Sequence, residues 1–300
     1  MLSVQGRILE APTLQYQHSG NPGKLHEIRP HIPGKWNLVG LRFYRPKELQ
    51  GCGCLVISDD DRGWNEGKLP AVAAMNAFSQ VLRGHGIRIV GEVMYQGLRL
   101  PNKPMLRGSD NAEARKTYQV RIEEWYKEVK SEIGLKMKKM TTCSFILVLL
   151  PSNDAYVYDQ IKRIGDLEMG VITQCCQRKP FMKGDGQYLS NVAMKVNLKL
   201  GGVNHHVKLQ ELPGTDKNTI IMGIDVTHPS PGSKDNAPSI AASVASTDEN
   251  FAQYRPDIRV QTARQEMVNE LGDMIRRHLQ HWSKVNNNRN PTKVIVFRDG

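Results

Sequence analysis

The sequence predicts an α/β protein with a parallel sheet, followed by a second domain with a different strand order. Three observations predict this. From residue 38 onward short apolar runs alternate with helical stretches, the alternation stops near Gly202, and a strand-rich pattern then continues to residue 300. Apolar residues make up 39% of the 300 residues and charged residues 24%, which is typical of a globular protein and excludes a coiled coil or a wholly disordered chain.

A Rossmann-like domain is predicted over residues 38–200. Residues 1–37 precede it and are predicted to be a linker segment, because they are rich in Pro, Gly, His and Gln and show no sustained period. Strand and helix signals then alternate four times, which favours a parallel sheet with helices on both faces. The predicted strands are 51–58, 87–94, 144–151 and 170–176, and the predicted helices are 69–86, 111–134, 155–165 (with Asp154 as its N-cap) and 188–202.

Residues 201–300 predict the beginning of a ribonuclease-H-like domain. Three strands, one helix and a fourth strand follow one another in that order. In the helix, apolar residues recur at spacings of three to four from Met267 to Trp282. The strands are predicted at 219–226, 238–246, 251–261 and 293–300, and the helix at 262–285. Because such a sheet is incomplete with four strands, we expect the chain to be a fragment of a longer protein.

The chain is basic, with 41 Lys and Arg against 30 Asp and Glu and a net charge of +11. That excess attracts polyanions, of which nucleic acid is the first candidate and an anionic membrane surface the second. The longest apolar run, 145–150, is too short to span a bilayer, so we expect no membrane partner. Five cysteines, an odd number, favour a reducing compartment, and we expect a cytoplasmic location.

A candidate phosphate site lies around the last two helices of the Rossmann-like domain. Tyr158 and Lys162 are four residues apart on one predicted helix, and Lys195 and Lys199 on the next, so each pair shares a helix face. Gln174 lies near the carboxyl end of the intervening strand, where open parallel sheets bind ligands. Ammonium groups neutralise a phosphate and an aromatic ring stacks on a base, so the pattern predicts a phosphate that carries a base. The alternative is a solvated helix face.

A second candidate site consists of carboxylates near the ends of two predicted strands. Asp225 and Asp299 each follow an apolar strand, where an acid is costly unless it is paired or binds a metal. Glu266, at the predicted start of the long helix, supplies a third oxygen ligand. Oxygen ligands suit Mg²⁺, and a two-metal site supports phosphodiester cleavage. The alternative is that the aspartates cap turns and Glu266 occupies the first helical turn.

Several strings of residues resemble the Argonaute family. They are VYDQIKRIGD (157–166), VITQCC (171–176), KLGGVN (199–204), MGIDVTHP (222–229), PSIAASVAS (238–246), RQEMVNEL (264–271) and FRDG (297–300). The resemblance extends over most of the chain and is strongest from residue 143 onward. It implies the end of the second linker at 1–37, the MID domain at 38–200 and the N-terminal part of the PIWI domain at 201–300. The first 110 residues resemble fungal members.

The resemblance implies small-RNA-guided RNA silencing. The MID domain would hold the 5′-monophosphate and first nucleotide of a guide RNA, which pairs with a target RNA. Tyr158 matches the residue that stacks on the first base. The matches to the phosphate ligands are Lys162, Gln174, Lys195 and Lys199, with Cys175 beside them. The loop that senses the first base is matched by Ser152, Asn153, Asp154, Ala155 and Tyr156.

The resemblance further implies that Asp225, Glu266 and Asp299 match residues that bind Mg²⁺ in RNA-cleaving members. Since the fourth ligand is expected beyond residue 300, we expect the parent protein to be an endoribonuclease and this chain to be inactive. One alternative is a stand-alone Mg²⁺-dependent nuclease or phosphatase of ribonuclease-H-like fold. Another is a dinucleotide-binding enzyme, although the chain lacks a GxGxxG motif after its first strand.

Overall fold

The computed structural model describes residues 6, 8, 10–21, 23–31, 34–59, 71–105, 112–208, 211–212, 214–230, 232–233 and 237–298. The chain divides into two compact units. The parallel-sheet unit comprises Leu38–Arg42 and Pro46–Leu200, and the mixed-sheet unit comprises Met1–Asn37, Phe43–Arg45 and Gly201–Gly300. Within the described ranges, no helix is both long enough and apolar enough to cross a membrane.

The secondary structure alternates in the parallel-sheet unit and is strand-rich elsewhere. In chain order the elements are β1 (Leu14–Gln17), β2 (Leu25–Ile28), β3 (Leu49–Gln50), β4 (Cys52–Ser58), α1 (Ala71–Gly84), β5 (Ile89–Val90), β6 (Met94–Arg99), α2 (Ala112–Lys138), β7 (Phe145–Leu150), α3 (Ala155–Lys162), a π-helix (Arg163–Met169), β8 (Ile172–Gln177), α4 (Arg178–Lys183), α5 (Gly186–Lys199), β9 (His206–Val207), β10 (Thr219–Thr227), β11 (Ser239–Ser246), β12 (Tyr254–Gln261), α6 (Leu271–Val285) and β13 (Lys293–Arg298).

The main sheet of the parallel-sheet unit has the order β6-β4-β7-β8, and all its neighbouring strands are parallel. Every residue of β4 and of β7 is buried, which requires cover on both faces of the sheet because side chains alternate along a strand. The predicted Rossmann-like α/β fold is therefore confirmed. The single strand predicted at 87–94 is wrong: β5 pairs with β3, and β6 begins only at Met94.

The helices α2 and α3 pack on the same core. Trp125, Val129 and Ile133 of α2 are buried against β4 and β7, together with Val157 and Ile161 of α3. This apolar stripe recurs every four residues along α2, whose remaining surface is polar and exposed. The long helix is thus an amphipathic platform for the loop that follows β7.

The π-helix continues α3 and ends at Gly170, whose φ of 66° is left-handed. The N-cap prediction for α3 is confirmed, because Asp154 Oδ1 accepts a hydrogen bond from Val157 N at 3.2 Å. Gly165 of the π-helix lies against β8 so closely that a Cβ atom there would be 2.5 Å from Thr173 Cγ2. The glycine therefore allows the helix to approach Thr173.

The sheet of the mixed-sheet unit has the order β12-β11-β10-β13. The first three strands pair antiparallel, and β13 pairs parallel with β10, as expected for the start of a ribonuclease-H-like fold. Trp282 of α6 is buried against Ile220, Met222 and Ala245 on one face. Residues 1–37, predicted as a linker segment, contribute β1 and β2, which form a separate antiparallel sheet with β9.

The predicted start of the long helix at 262 is wrong, because α6 begins at Leu271. Residues 262–270 are irregular, and Met267 is 70% exposed. The side chain of Gln261 donates to the carbonyls of Gln265 and Met267 at 2.6 and 3.2 Å. Side-chain bonds of this kind compete with helical hydrogen bonds, so the apolar spacing alone does not set the helix start.

Replacing Gly165 with alanine should destabilise the parallel-sheet unit. Thr173 is buried and its hydroxyl is bonded to Lys162, so it cannot turn aside for the added methyl group. We expect a loss of about 1–3 kcal/mol in the free energy of unfolding, as is usual for overpacking. Urea denaturation followed by circular dichroism measures this change.

Gly134→Ala is the matched control. The nearest atom to a Cβ at Gly134, within α2, lies at 3.9 Å, so alanine fits there. Alanine in a helix interior is favoured over glycine by roughly 0.5–1 kcal/mol, so this variant should be at least as stable as the wild type. Equal stability of the Gly165→Ala variant and the wild type would contradict the close approach.

Candidate functional site

A cavity of about 410 Å³ opens at the carboxyl ends of β7 and β8, between α3 and α5. Parallel strands end together at this edge, and loops that leave them surround an open crevice, which is where such sheets bind ligands. The cavity is lined by Leu150, Asn153, Asp154, Ala155, Tyr158, Asp159, Cys175, Cys176, Gln177, Tyr188 and Lys195.

Two lysine side chains converge on the backbone of Thr173. Lys199 Nζ donates to the Thr173 carbonyl oxygen at 2.7 Å. Lys162 Nζ donates to Thr173 Oγ1 at 2.7 Å and lies 3.5 Å from the same carbonyl oxygen. The helices α3 and α5 thus each direct one ammonium group to the same residue of β8. We call Lys162, Thr173 and Lys199 the lysine clamp.

The lysine clamp is electrostatically unbalanced. Burial lowers the pKa of Lys199, and repulsion by the nearby Lys162 ammonium lowers it further. Lys162 also forms an ion pair with Asp166, with Nζ and Oδ2 3.0 Å apart. Among the described residues, Lys199 has no carboxylate within ion-pair distance. Two ammonium groups and one carboxylate leave a net positive charge, which an anion would stabilise.

Cys175 connects the lysine clamp to the cavity. It lines the cavity, and both Lys162 and Lys199 act on its thiol electrostatically. Burial nevertheless dominates and raises the pKa of Cys175 to about 11. The thiol is therefore neutral at physiological pH and is not a nucleophile.

The other residues predicted for the phosphate site lie in two different settings. Tyr158 is 45% exposed and lines the cavity with Lys195, so its ring is available for stacking. Gln174 is buried and its Nε2 donates to the Cys175 carbonyl at 2.8 Å. Its Oε1 is buried and without a hydrogen-bond partner among the described residues. Gln174 therefore does not line the cavity, and only the NH2 group of its amide is engaged.

The loop predicted to sense a base is held at Asp154 and at Tyr156. Asp154 caps α3 and its Oδ2 lies 2.5 Å from Lys103 Nζ. The ring of Tyr156 packs on that of Tyr126 in α2, with 4.2 Å between ring centroids. The Tyr156 hydroxyl donates a hydrogen bond to the Tyr126 carbonyl oxygen at 2.7 Å. Ser152, before these anchors, and Ala155, between them, are exposed.

The sequence analysis missed several residues at or next to this cavity, among them Lys103, Tyr188 and Gln177. Lys103 lies 51 residues before Asp154, and no motif or helical spacing links them. Tyr188 of α5 lines the cavity seven residues before Lys195, a spacing of two helical turns that could have placed both on one face. The side chain of Gln177 donates a hydrogen bond to Asn153 Oδ1, which links the loop to the end of β8.

The two strands that carry or precede the predicted aspartates, β10 and β13, are neighbours in one sheet. β10 pairs in parallel with β13, and Ile224 is opposite Arg298. Asp225, the next residue, is exposed and lines a cavity of about 510 Å³ together with Phe297 and Arg298. Asp299 lies outside the described residues.

Glu266 is held by a histidine rather than by a helix. Its Oε2 lies 2.8 Å from His228 Nε2, and His228 Nδ1 lies 2.8 Å from Ser239 Oγ. Ser239 Oγ also accepts the backbone N–H of Arg264 at 2.8 Å. Because a carboxylate only accepts hydrogen bonds, His228 Nε2 donates to Glu266. The chain of bonds fixes the irregular segment 262–270, which places Glu266.

The described residues do not by themselves form a metal site. No group of three His, Cys, Asp or Glu side chains among them is placed to hold a metal ion. Glu266 is engaged by His228, and Asp299 is outside the described ranges. The predicted Mg²⁺ site therefore stays a prediction.

Comparisons with known proteins identify relatives along the whole chain. The Piwi domain family matches residues 145–300. Protein argonaute PNH1 of Oryza sativa subsp. japonica is 29% identical over 321 residues, which cover 100% of this chain and 30% of the rice protein. The chain therefore spans less than a third of that relative's length.

Two solved structures resemble the fold. Kluyveromyces polysporus Argonaute with a guide RNA gives a TM-score of 0.71 at 25% identity, covering 98% of this chain and 34% of that chain. The N. crassa QDE-2 AGO MID-PIWI domains give a TM-score of 0.63 at 28% identity, and the match covers 86% of this chain and 65% of that chain. Since plant and fungal proteins both match, fungal origin stays a prediction.

Removing the imidazole of His228 should loosen the segment 262–270. In a His228→Ala variant Glu266 loses its partner, and Ser239 keeps only the Arg264 N–H. We expect faster amide hydrogen exchange at 262–270, with global stability reduced by about 1 kcal/mol, the usual value for one hydrogen bond. Hydrogen exchange with mass spectrometry measures this.

Glu266→Gln serves as the control, because the amide oxygen still accepts from His228 Nε2 and should preserve protection. Glu266→Ala should behave like His228→Ala. Unchanged exchange in both alanine variants would show that the histidine does not hold the segment.

Proposed function

The chain belongs to the Piwi domain family, and we propose that its parallel-sheet unit binds the phosphorylated 5′ end of a small guide RNA in RNA silencing. In this proposal residues 38–200 act as a MID domain, and residues 201–300 form the N-terminal part of a PIWI domain. Residues 1–37 are the end of the preceding linker.

One observation carries the proposal: the lysine clamp places two ammonium groups beside a cavity that also offers an aromatic ring. Ammonium groups at Lys162 and Lys199 suit a doubly charged terminal phosphate, and Lys195 adds a third cation at the cavity. Tyr158 offers a face on which the first base stacks. A relative solved with a guide RNA shares this fold at 25% identity, which supports the same ligand here.

Binding follows from the exchange of partners at the clamp. In this proposal phosphate oxygens accept hydrogen bonds from Lys199 Nζ and Lys162 Nζ, and their negative charge offsets both the burial and the Lys162 repulsion that lower the pKa of Lys199. Cys175 lies beside the phosphate as a neutral thiol, and Gln174 contacts it only if its amide leaves the Cys175 carbonyl. Asn153, Asp154 and Ala155 of the loop Ser152–Tyr156 line the cavity, and in this proposal the loop contacts the base.

We propose a target-RNA function for the mixed-sheet unit. Asp225, Glu266 and Asp299 are the residues proposed to contribute to a Mg²⁺-dependent cleavage site in the complete protein. The described residues do not form that site, so we derive no catalytic step through a metal. A stand-alone nuclease is not favoured, because Argonaute relatives match the parallel-sheet unit as well.

We also propose a cytoplasmic location. All five cysteines are free, as expected in a reducing compartment. Four of them are buried and have raised pKa values: burial raises the pKa of Cys52 to about 12 and also raises those of Cys54, Cys143 and Cys176.

The proposal predicts a preference for a 5′-phosphate over a 5′-hydroxyl on an otherwise identical short RNA. Because hydrogen bonds to charged groups contribute roughly 1.5–3 kcal/mol each, we expect at least about tenfold tighter binding of the phosphorylated RNA. Fluorescence anisotropy at two salt concentrations measures it. Lys199→Ala should remove most of the preference and reduce the salt dependence.

Lys130→Ala is the matched control, because Lys130 is an exposed lysine of α2. It should leave the preference for phosphate unchanged. Equal, strongly salt-dependent binding of both RNAs by the wild type would contradict the proposal and would indicate non-specific attraction of a polyanion to a basic protein.

A further inference from the structure

Lys103 is fixed between an aromatic ring and a carboxylate. Its Nζ lies 5.0 Å from the centroid of the Trp125 ring and 2.5 Å from Asp154 Oδ2. Trp125 in turn donates its indole N–H to the Pro101 carbonyl at 2.9 Å, which ties the segment around Lys103 to α2. A lysine that is 49% exposed is thus held in one direction by contacts on two sides.

Each carboxylate oxygen of Asp154 accepts a different hydrogen bond at the cavity. Oδ1 caps α3 through Val157 N, and Oδ2 receives Lys103. The Asp154 side chain is only 19% exposed and lines the cavity. Burial opposes ionisation, yet the bonds from Lys103 and Val157 N–H outweigh it and lower the pKa of Asp154. A carboxylate therefore faces a cavity that is otherwise suited to an anion.

We infer that Lys103 is a positioning residue for the base-contacting loop, which it serves by neutralising Asp154 and fixing its orientation. This inference rests on the proposed function, because it concerns the same cavity. It assigns a role in nucleotide recognition to a residue on the segment that follows β6, remote in sequence from the loop that it controls.

The physical consequence of losing Lys103 is a change in charge at the cavity. Without the ammonium group, the Asp154 carboxylate repels an incoming nucleotide phosphate. Its Oδ2 also loses the partner that fixes the carboxylate plane. Tyr156 remains anchored on Tyr126 and Asn153 on Gln177, so the loop loses one of its three anchors while α3 keeps its N-cap.

The test compares binding of the four nucleoside 5′-monophosphates to the full chain by isothermal titration calorimetry. The Lys103→Met variant keeps the aliphatic stem over Trp125 and removes the charge. We expect about fivefold weaker binding, the scale of a partly exposed ion pair, together with altered affinity ratios among the four nucleotides. Lys130→Met, on the exposed face of α2, is the matched control and should bind as the wild type does.

A second variant separates charge from folding. Asparagine caps a helix as well as aspartate does, so Lys103→Met combined with Asp154→Asn should restore wild-type affinity by removing the unpaired carboxylate. Failure of this rescue, or an unchanged Lys103→Met variant, would overturn the inference. If the wild type binds none of the four nucleotides, the proposed function itself fails, and this outcome is distinct from the other two.

Discussion

The Thr173 carbonyl of β8 accepts a hydrogen bond from Lys199 and lies 3.5 Å from the Lys162 ammonium, so two like charges are held at one atom. Such an arrangement costs free energy: burial lowers the pKa of Lys199, and repulsion by the Lys162 ammonium lowers it further. The surrounding structure maintains it: Gly165 allows the π-helix to reach Thr173, and Asp166 offsets one of the two charges. Two neighbouring ammonium groups are stabilised when an anion binds to them, and a doubly charged anion stabilises them more than a singly charged one.

The mixed-sheet unit presents a different physical situation. Asp225 and Glu266, the predicted ligands among the described residues, have different hydrogen-bond partners. Asp225 is exposed on β10, and Glu266 is occupied by a hydrogen bond from His228, which Ser239 orients in turn. The irregular segment 262–270 is fixed by side-chain bonds to its backbone, so the position of Glu266 depends on this local network and not on α6.

The pattern of apolar residues along the sequence predicted most of the fold, because burial of the strands and helices determines that pattern. The apolar runs of β4 and β7 follow from which residues avoid water. The start of α6 did not follow, since the carbonyls of Gln265 and Met267 are taken by a side chain. The π-helix and the contact of Lys103 with Asp154 depend on tertiary packing between segments far apart in sequence, and single-sequence patterns carry no signal for either.

The central claim is that the lysine clamp holds a terminal phosphate, and a crystal structure of the chain with a nucleoside 5′-monophosphate tests it most directly. We predict phosphate oxygens within hydrogen-bond distance of Nζ in both Lys162 and Lys199, with the base stacked on Tyr158. A phosphate bound elsewhere, with both ammonium groups still on Thr173, would contradict the account.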